Sequence, residues 1–232
     1  MISAIIPTLN EEAGIAGTVR AVSAQAGILE VLVVDGGSSD STVARSRRAG
    51  ATVILAERGR GRQMHAGALA ARGGVLWFIH ADTRPIPGVS RQLAEALASP
   101  AVVGGNFTLV FDGATLGARV LNLVQPLMQR IGCYYGDSTI FVRRDAYFAA
   151  GGFPPYPVFE DAALIARLRS AGKFVSLPGQ VITSSRRLER HGFVRTCARW
   201  SALQCLFWLG VPPERLARYY APVRRDGGEE AM

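Results

Sequence analysis

Val31-Leu32-Val33-Val34-Asp35-Gly36-Gly37-Ser38 and Val75-Leu76-Trp77-Phe78-Ile79-His80-Ala81-Asp82 decide how this chain folds. Each is a continuous apolar run, too short for a typical helix, that closes on polar residues including an acid. Such a run fits a strand buried on both faces. Residues 2–6, closed by Pro7, and residues 53–55 read the same way. Between these runs stand helix signals. Asn10-Glu11-Glu12 suits a helix start, Ile15, Val19 and Val22 recur at helical spacing, and Ser39 or Asp40 can cap a helix through Arg45. Residues 61–71 form a small-residue helical stretch. This alternation predicts a mostly parallel central sheet with helices on both faces, joined by right-handed crossovers. The strand ends then gather along one edge, where ligands bind in such sheets. Asp35 and Asp82 each lie just after a strand and are expected to share that crevice.

The second half changes character. Residues 102–111 read as a long strand and 116–131 as a helix interrupted near Pro126. Residues 139–142 read as a strand, followed by a loop at Gly151-Gly152-Phe153-Pro154-Pro155. Glu160-Asp161 opens a helix that places Leu164, Ile165 and Leu168 on one face. Residues 174–177 and 180–182 read as two short strands around Pro178-Gly179. One domain over 1–188 is expected, its character changing at about residue 100, so that 1–100 and 101–188 form two halves. A basic, amphipathic helical tail occupies 189–232.

The chain has 232 residues, 49% of them hydrophobic, which excludes a chain disordered as a whole. No apolar run reaches the roughly 18 to 20 residues that cross a bilayer. The N-terminus has no basic region ahead of its apolar stretch, unlike a signal peptide. Cys133, Cys197 and Cys205 are too scattered for a disulfide framework or zinc site and read as buried free thiols in a reducing cytoplasm. A cytoplasmic protein is expected, either free or peripheral on the inner face of the membrane.

The net charge of +8 is concentrated. Residues 184–225 hold nine arginines against Glu189 and Glu214, a balance of +7. Phe193, Trp200, Leu203, Phe207 and Trp208 share this segment with Arg190, Arg195 and Arg199. The stretch 189–220 therefore suits a membrane surface, closure over the acceptor site, or a homodimer contact. Nucleic acid is not expected as a partner, because no exposed aromatic platform accompanies the charge.

Two phosphate-binding patterns are absent. Pro7-Thr8-Leu9-Asn10 stands where a glycine-rich dinucleotide fingerprint would follow the first strand, and no P-loop occurs. A bound nucleotide would need its charge met by a divalent metal and an arginine. Asp82, at a strand end, suits the metal. Arg58, Arg60 and Arg62 lie in a glycine-bearing segment whose guanidinium forks suit phosphate, as an alternative to a solvated basic loop. Glu160 and Asp161 fit a helix start for electrostatic reasons alone.

These stretches together resemble the family 2 glycosyltransferases, which have the nucleotide-diphospho-sugar transferase (GT-A) fold. The matching motifs are Ile5-Ile6-Pro7-Thr8-Leu9-Asn10-Glu11, then Val34-Asp35-Gly36-Gly37-Ser38-Ser39-Asp40-Ser41-Thr42 and Phe78-Ile79-His80-Ala81-Asp82. Gly151-Gly152-Phe153 followed by Glu160-Asp161 completes the series, in the family's order, over about residues 1–180.

The resemblance implies a hexosyltransferase-like enzyme using a nucleoside-diphosphate sugar and Mn2+ or Mg2+, with inversion at the sugar. It implies that Pro7, Thr8, Asn10, Glu11, Asp35 and Gly37 hold the nucleoside. Arg62, Gln63, His80 and Ala81 would line the donor, and Asp82 would anchor the metal. Asp161 would be the base, with Glu160 beside it, and Gly136, Asp137 and Arg144 would border an acceptor that is a small molecule or lipid-linked.

Two departures stand out. Asp35-Gly36-Gly37-Ser38 replaces the usual Asp-Asp-Gly-Ser, and His80-Ala81-Asp82 replaces Asp-x-Asp. His80 is then a donor to phosphate, a softer metal ligand favouring manganese, or a packed histidine. The run from Gly61-Arg62-Gln63-Met64-His65-Ala66-Gly67 to Asp82-Thr83 looks like a small bacterial subgroup linked to arsenosugar biosynthesis. Two rival readings are a sugar nucleotidyltransferase, disfavoured by Pro7-Thr8-Leu9-Asn10, and a catalytically weak or inactive nucleotide-sugar-binding module acting through its basic tail.

Overall fold

In the computed structural model, residues 1–130, 139–185 and 192–220 are described. The chain runs β1 (Ile2–Thr8), α1 (Ile15–Ser23), β2 (Ile28–Asp35), α2 (Thr42–Arg48), β3 (Thr52–Leu55), α3 (Arg60–Ala70), β4 (Val75–Phe78), β5 (Thr83–Pro85), α4 (Val89–Ala96) and β6 (Val102–Phe111). It continues through α5 (Leu116–Arg130), β7 (Ile140–Arg143), α6 (Arg144–Ala149), α7 (Glu160–Ala171), β8 (Lys173–Thr183), α8 (Phe193–Trp208), α9 (Pro213–Leu216) and a 3-10 turn at Ala217–Tyr219.

One eight-stranded sheet carries the order β3-β2-β1-β4-β7-β6-β8-β5. Strands β1 to β4 are mutually parallel, as their two-sided apolar runs predict. β7 runs antiparallel to both β4 and β6, and β6 pairs parallel with β8. Alternate residues of each central strand supply two cores. Ile6, Val33, Trp77 and Phe141 face one side, where Val19 of α1 and Leu93 of α4 pack. Ile5, Val34, Phe78 and Ile140 face the other, against Met64 of α3, Tyr147 of α6 and Leu164 of α7. The two-residue period of a strand produces this division.

Three expectations change. The two short strands around Pro178-Gly179 are one strand, β8, whose register against β6 slips so that Leu177 pairs with Phe107 and Gln180 with Thr108. Proline has no N–H for the ladder, so the strand bulges there without ending. α5 is a single helix that continues past Pro126. Cys197 is half-buried and Cys205 exposed, so neither described thiol is the buried one expected; Cys133 lies outside the described residues.

The first part of the tail folds back on the sheet domain. Val158, Leu203 and Leu216 form a third, small core, and the Phe159 and Phe207 rings stack at 4.7 Å with 16° between planes. No helix among the described residues is long and apolar enough to cross a membrane.

Candidate active site

The parallel registers set Thr8 of β1 beside Asp35 of β2, and Ile5 beside Phe78 of β4, so the acid that ends β2 and the acid that follows β4 lie at one sheet edge. Asp35 is only 1% exposed. Its Oδ2 accepts from the Gly37 and Ser38 N–H groups at 2.9 and 2.8 Å, and its Oδ1 accepts from the Ser38 hydroxyl. An aspartate that caps the next two amides in this way shapes its own turn. Its direct work is on the backbone of Gly36-Gly37-Ser38, with Gly37 exposed at φ +90°.

That loop is laced to the one after β1. Asn10 donates its N–H to the Ser38 hydroxyl and accepts from the Ser39 N–H, both at 2.9 Å. Glu11 donates its N–H to the Thr42 hydroxyl. Pro7 and Thr8 are buried, while Asn10 is exposed and Glu11 partly so. Gln63 sits beneath both loops, buried, and its Nε2 donates to the Thr8 and Val34 carbonyls, each at 2.8 Å. It satisfies two carbonyls at the ends of β1 and β2, so its amide nitrogen serves the floor of the crevice and not an incoming donor.

The His80-Ala81-Asp82 turn follows β4 and closes through a Thr83 N–H to His80 carbonyl bond of 3.0 Å. The Thr18 hydroxyl of α1 donates to the Ala81 carbonyl at 2.7 Å and holds the turn from below. Ala81 is thereby buried, while the His80 and Asp82 side chains are half-buried. His80 is near enough to Asp161 to favour its charged form. The turn after β4 therefore lies within electrostatic reach of the start of α7.

α7 begins after Phe159, which takes a left-handed conformation with φ 62° and offers no side-chain cap. Glu160 is fully buried, and one of its oxygens pairs with Arg60 at the start of α3. Its Oε2 has no hydrogen-bond partner among the described residues. Gly61 makes the approach of the two helices possible. A β-carbon there would lie 2.8 Å from the Pro154 carbonyl and 3.3 Å from the Glu160 side chain.

Asp161 is 8% exposed. Burial pushes its carboxyl up to about 6 and neighbouring Glu160 adds to the rise, while Arg60, the Ala162 N–H and His80 act in the opposite sense. Burial also works against the Arg60 charge, but Glu160 and Asp161 more than offset it and hold that pKa well above the ordinary arginine value. A carboxyl that titrates near neutrality can take a proton and release it again.

Arg62 is not at this junction. It is exposed and pairs with Glu57, whereas Arg60 reaches the buried acids. Arg144 is also elsewhere. β7 is antiparallel to β4, with Arg143 beside Val75, and the Arg144 N–H bonds to the Gly74 carbonyl. That is the entry end of β4, opposite Asp82, and the Arg144 guanidinium stacks over Phe148 at 4.9 Å. Gly136 and Asp137 lie outside the described residues.

The donor set for a cation is one carboxylate, Asp82, and one imidazole, His80, on a half-exposed turn. Among the described residues there is no group of three or more His, Cys, Asp or Glu side chains suited to a metal. A set of this size fits a cation whose remaining ligands come from substrate oxygens, as with magnesium bound between one or two carboxylates and phosphates.

Several known proteins share this architecture. A glucosyl-3-phosphoglycerate synthase from Mycolicibacterium paratuberculosis is 29% identical over 164 residues, covering 57% of this chain and 49% of that protein. An uncharacterized glycosyltransferase of Mycobacterium tuberculosis, Rv1514c, is 38% identical over 104 residues, covering 42% of this chain and 40% of that protein. The chain spans about a third to a half of the curated relatives it matches.

Among solved structures, the M. tuberculosis glucosyl-3-phosphoglycerate synthase with Mg2+ and uridine diphosphate superposes with a TM-score of 0.66 at 22% identity, over 91% of this chain and 80% of that one. A mannosyltransferase from Pyrobaculum calidifontis with GDP-mannose and Mn2+ gives 0.68 at 20% identity, over 94% of this chain and 68% of that one. At these identities the likeness establishes the fold. The sequence profile of Glycosyl transferase family 2 matches residues 3–153, which is most of the chain, and the chain belongs to that family.

Proposed function

We propose that this chain transfers a sugar from a nucleoside-diphosphate donor to an acceptor hydroxyl, with inversion at the anomeric carbon. The observation that carries the reading is Asp161, a nearly buried carboxyl held near pH 6 at the edge where Asp82 and His80 also emerge. Family membership supports it, as do relatives whose structures contain Mn2+, UDP-glucose and phosphoglyceric acid.

The residues divide the work. The backbone of Gly36-Gly37-Ser38, shaped by Asp35, and the exposed side of Asn10-Glu11 receive the nucleoside. Asp82 and His80 would hold Mn2+ or Mg2+, which supplies charge neutralisation at the departing diphosphate. Asp161 accepts the proton of the acceptor hydroxyl as that oxygen bonds to the anomeric carbon. The bond from that carbon to the diphosphate oxygen breaks, and the nucleoside diphosphate leaves with the electron pair. Arg60 and Glu160 keep Asp161 in place. The first 100 or so residues serve the donor in this reading, and residues 101–188 border the acceptor.

Asp161→Asn tests the assignment. Transfer should fall by at least about 100-fold, while nucleotide-sugar binding, followed by calorimetry with Mn2+, stays near wild type. Wild-type turnover in this variant would rule Asp161 out as the base.

A further inference from the structure

α5 is turned inside out relative to a solvated surface helix. Asn122 and Gln125 point inward. Asn122 Oδ1 accepts from the Phe111 N–H at 2.8 Å, its Nδ2 donates to the Phe111 carbonyl at 3.1 Å, and Gln125 is buried. On the opposite side Leu116, Val120, Leu123 and Leu127 recur at intervals of four, three and four residues. That spacing keeps them within one narrow stripe of a helix. Leu116 is 77% exposed and Leu123 81%. The two Asn122 hydrogen bonds pin the helix to the end of β6, so the stripe is held outward by the fold.

α8 extends this surface. A β-carbon at Gly117 would lie 2.7 Å from Phe193, so the two helices touch at their first turns, with Leu116 and Val194 as the adjoining exposed residues. Val194, Trp208 and Leu209 are all largely exposed. Arginines flank both helices: Arg119 beside the α5 stripe, Arg195 and Arg218 on the tail, all exposed. Exposed apolar residues on two helices that touch at their first turns, edged by cations and an aromatic, match the interface of a lipid bilayer.

We propose that the outer faces of α5 and α8 dock on an anionic membrane surface, with the leucine stripe entering the headgroup region and the arginines meeting lipid phosphates. Charge selects this occupant over a second copy of the chain. A two-fold contact would bring the same patch of both copies together, and with it the exposed Arg119, Arg195 and Arg218 of each. An anionic leaflet instead attracts each of those arginines. The inference stands apart from the transfer reaction, since it rests on surface residues that none of the catalytic steps uses.

Co-sedimentation of the full chain with phosphatidylcholine vesicles, with and without phosphatidylglycerol, tests it, alongside light scattering for molecular mass. Wild type should bind the phosphatidylglycerol vesicles and lose binding as salt rises. The L123E/L127E double variant should lose on the order of 100-fold in partitioning with an unchanged melting temperature. An R119Q/R195Q variant should keep its leucine stripe and lose most of the preference for the anionic lipid. Equal partitioning of wild type onto both vesicle types, or an L123E/L127E variant that binds like wild type, overturns the proposal. So does a wild-type mass of two chains that L123E/L127E reduces to one, which would make the stripe a dimer contact.

Discussion

Arg60 and Glu160 join the first turns of α3 and α7 in an ion pair, and the residue after Glu160 is the carboxyl assigned to the proton transfer. The pair sits where Gly61 lets the two helices close, so it sets both the position and the charge environment of Asp161.

Arg60→Ala leaves Glu160 ionised in a buried site or forces it to take a proton. Breaking one side of such a pair costs about 3–5 kcal/mol, and a guanidinium that favours ionised Asp161 is lost. The variant should melt well below wild type, and the acid limb of its pH–rate profile should move to higher pH. A stable variant with an unmoved limb would show that Arg60 merely fills space.

The raised Asp161 value has its own signature in stability. The carboxyl binds its proton more tightly in the folded chain, near 6, than at its ordinary 3.8. The resulting stabilisation is full below about pH 3.8 and lost as pH rises through about 6, a swing of about 3 kcal/mol. Asp161→Asn should therefore melt higher than wild type at pH 8 and close to it at pH 3.5. Transfer by wild type should rise with pH through about 6, as the base becomes ionised. Equal melting differences at both pH values would contradict the sign argued here.

Gln63 carries two carbonyls that no water reaches easily. Truncation to alanine removes one donor from each, leaving the Thr8 carbonyl to the Gly36 N–H and the Val34 carbonyl to the Thr8 hydroxyl, at a cost of about 1 kcal/mol. Denaturant titration should show that loss, and nucleotide affinity should drop with it as the loops above lose their floor.

Much of the scaffold was legible from strand composition alone. Runs such as Val31-Leu32-Val33-Val34 are apolar on both faces, and that pattern has few structural solutions. The alignment of Asp35 and Asp82 follows from parallel strands, whose ends collect on one side. Arg60 was harder to separate from Arg62, because three arginines alternate with other residues and only the starting register of α3 decides which one faces Glu160. Arg144 was misplaced for a topological reason. It follows β7, whose antiparallel run returns to the entry end of β4, away from the edge where Asp82 emerges. The inward duties of Asp35 and Gln63 depend on amides and carbonyls brought together from distant positions, which no local pattern encodes.

Phe207→Ala removes the ring that stacks on Phe159. Stacked pairs contribute about 0.5–1.5 kcal/mol beyond their buried area, so α8 should come away more readily from the sheet domain. Limited proteolysis should cleave the variant faster within 192–220. Turnover should fall as well, because Phe159 immediately precedes the Glu160-Asp161 turn. Unchanged proteolysis and turnover would mean that the stack is incidental.

That stack links motion at the periphery to chemistry at the centre. Phe207 belongs to the same helix as Val194 and Trp208, on the outside of the molecule, and Phe159 holds the strained backbone that aims Asp161. A load placed on α8 reaches the start of α7 through that stack and the small core of Val158, Leu203 and Leu216 beside it, next to the residue proposed as the base. In the proposed reaction the outer helix would be a lever whose short arm ends at Asp161.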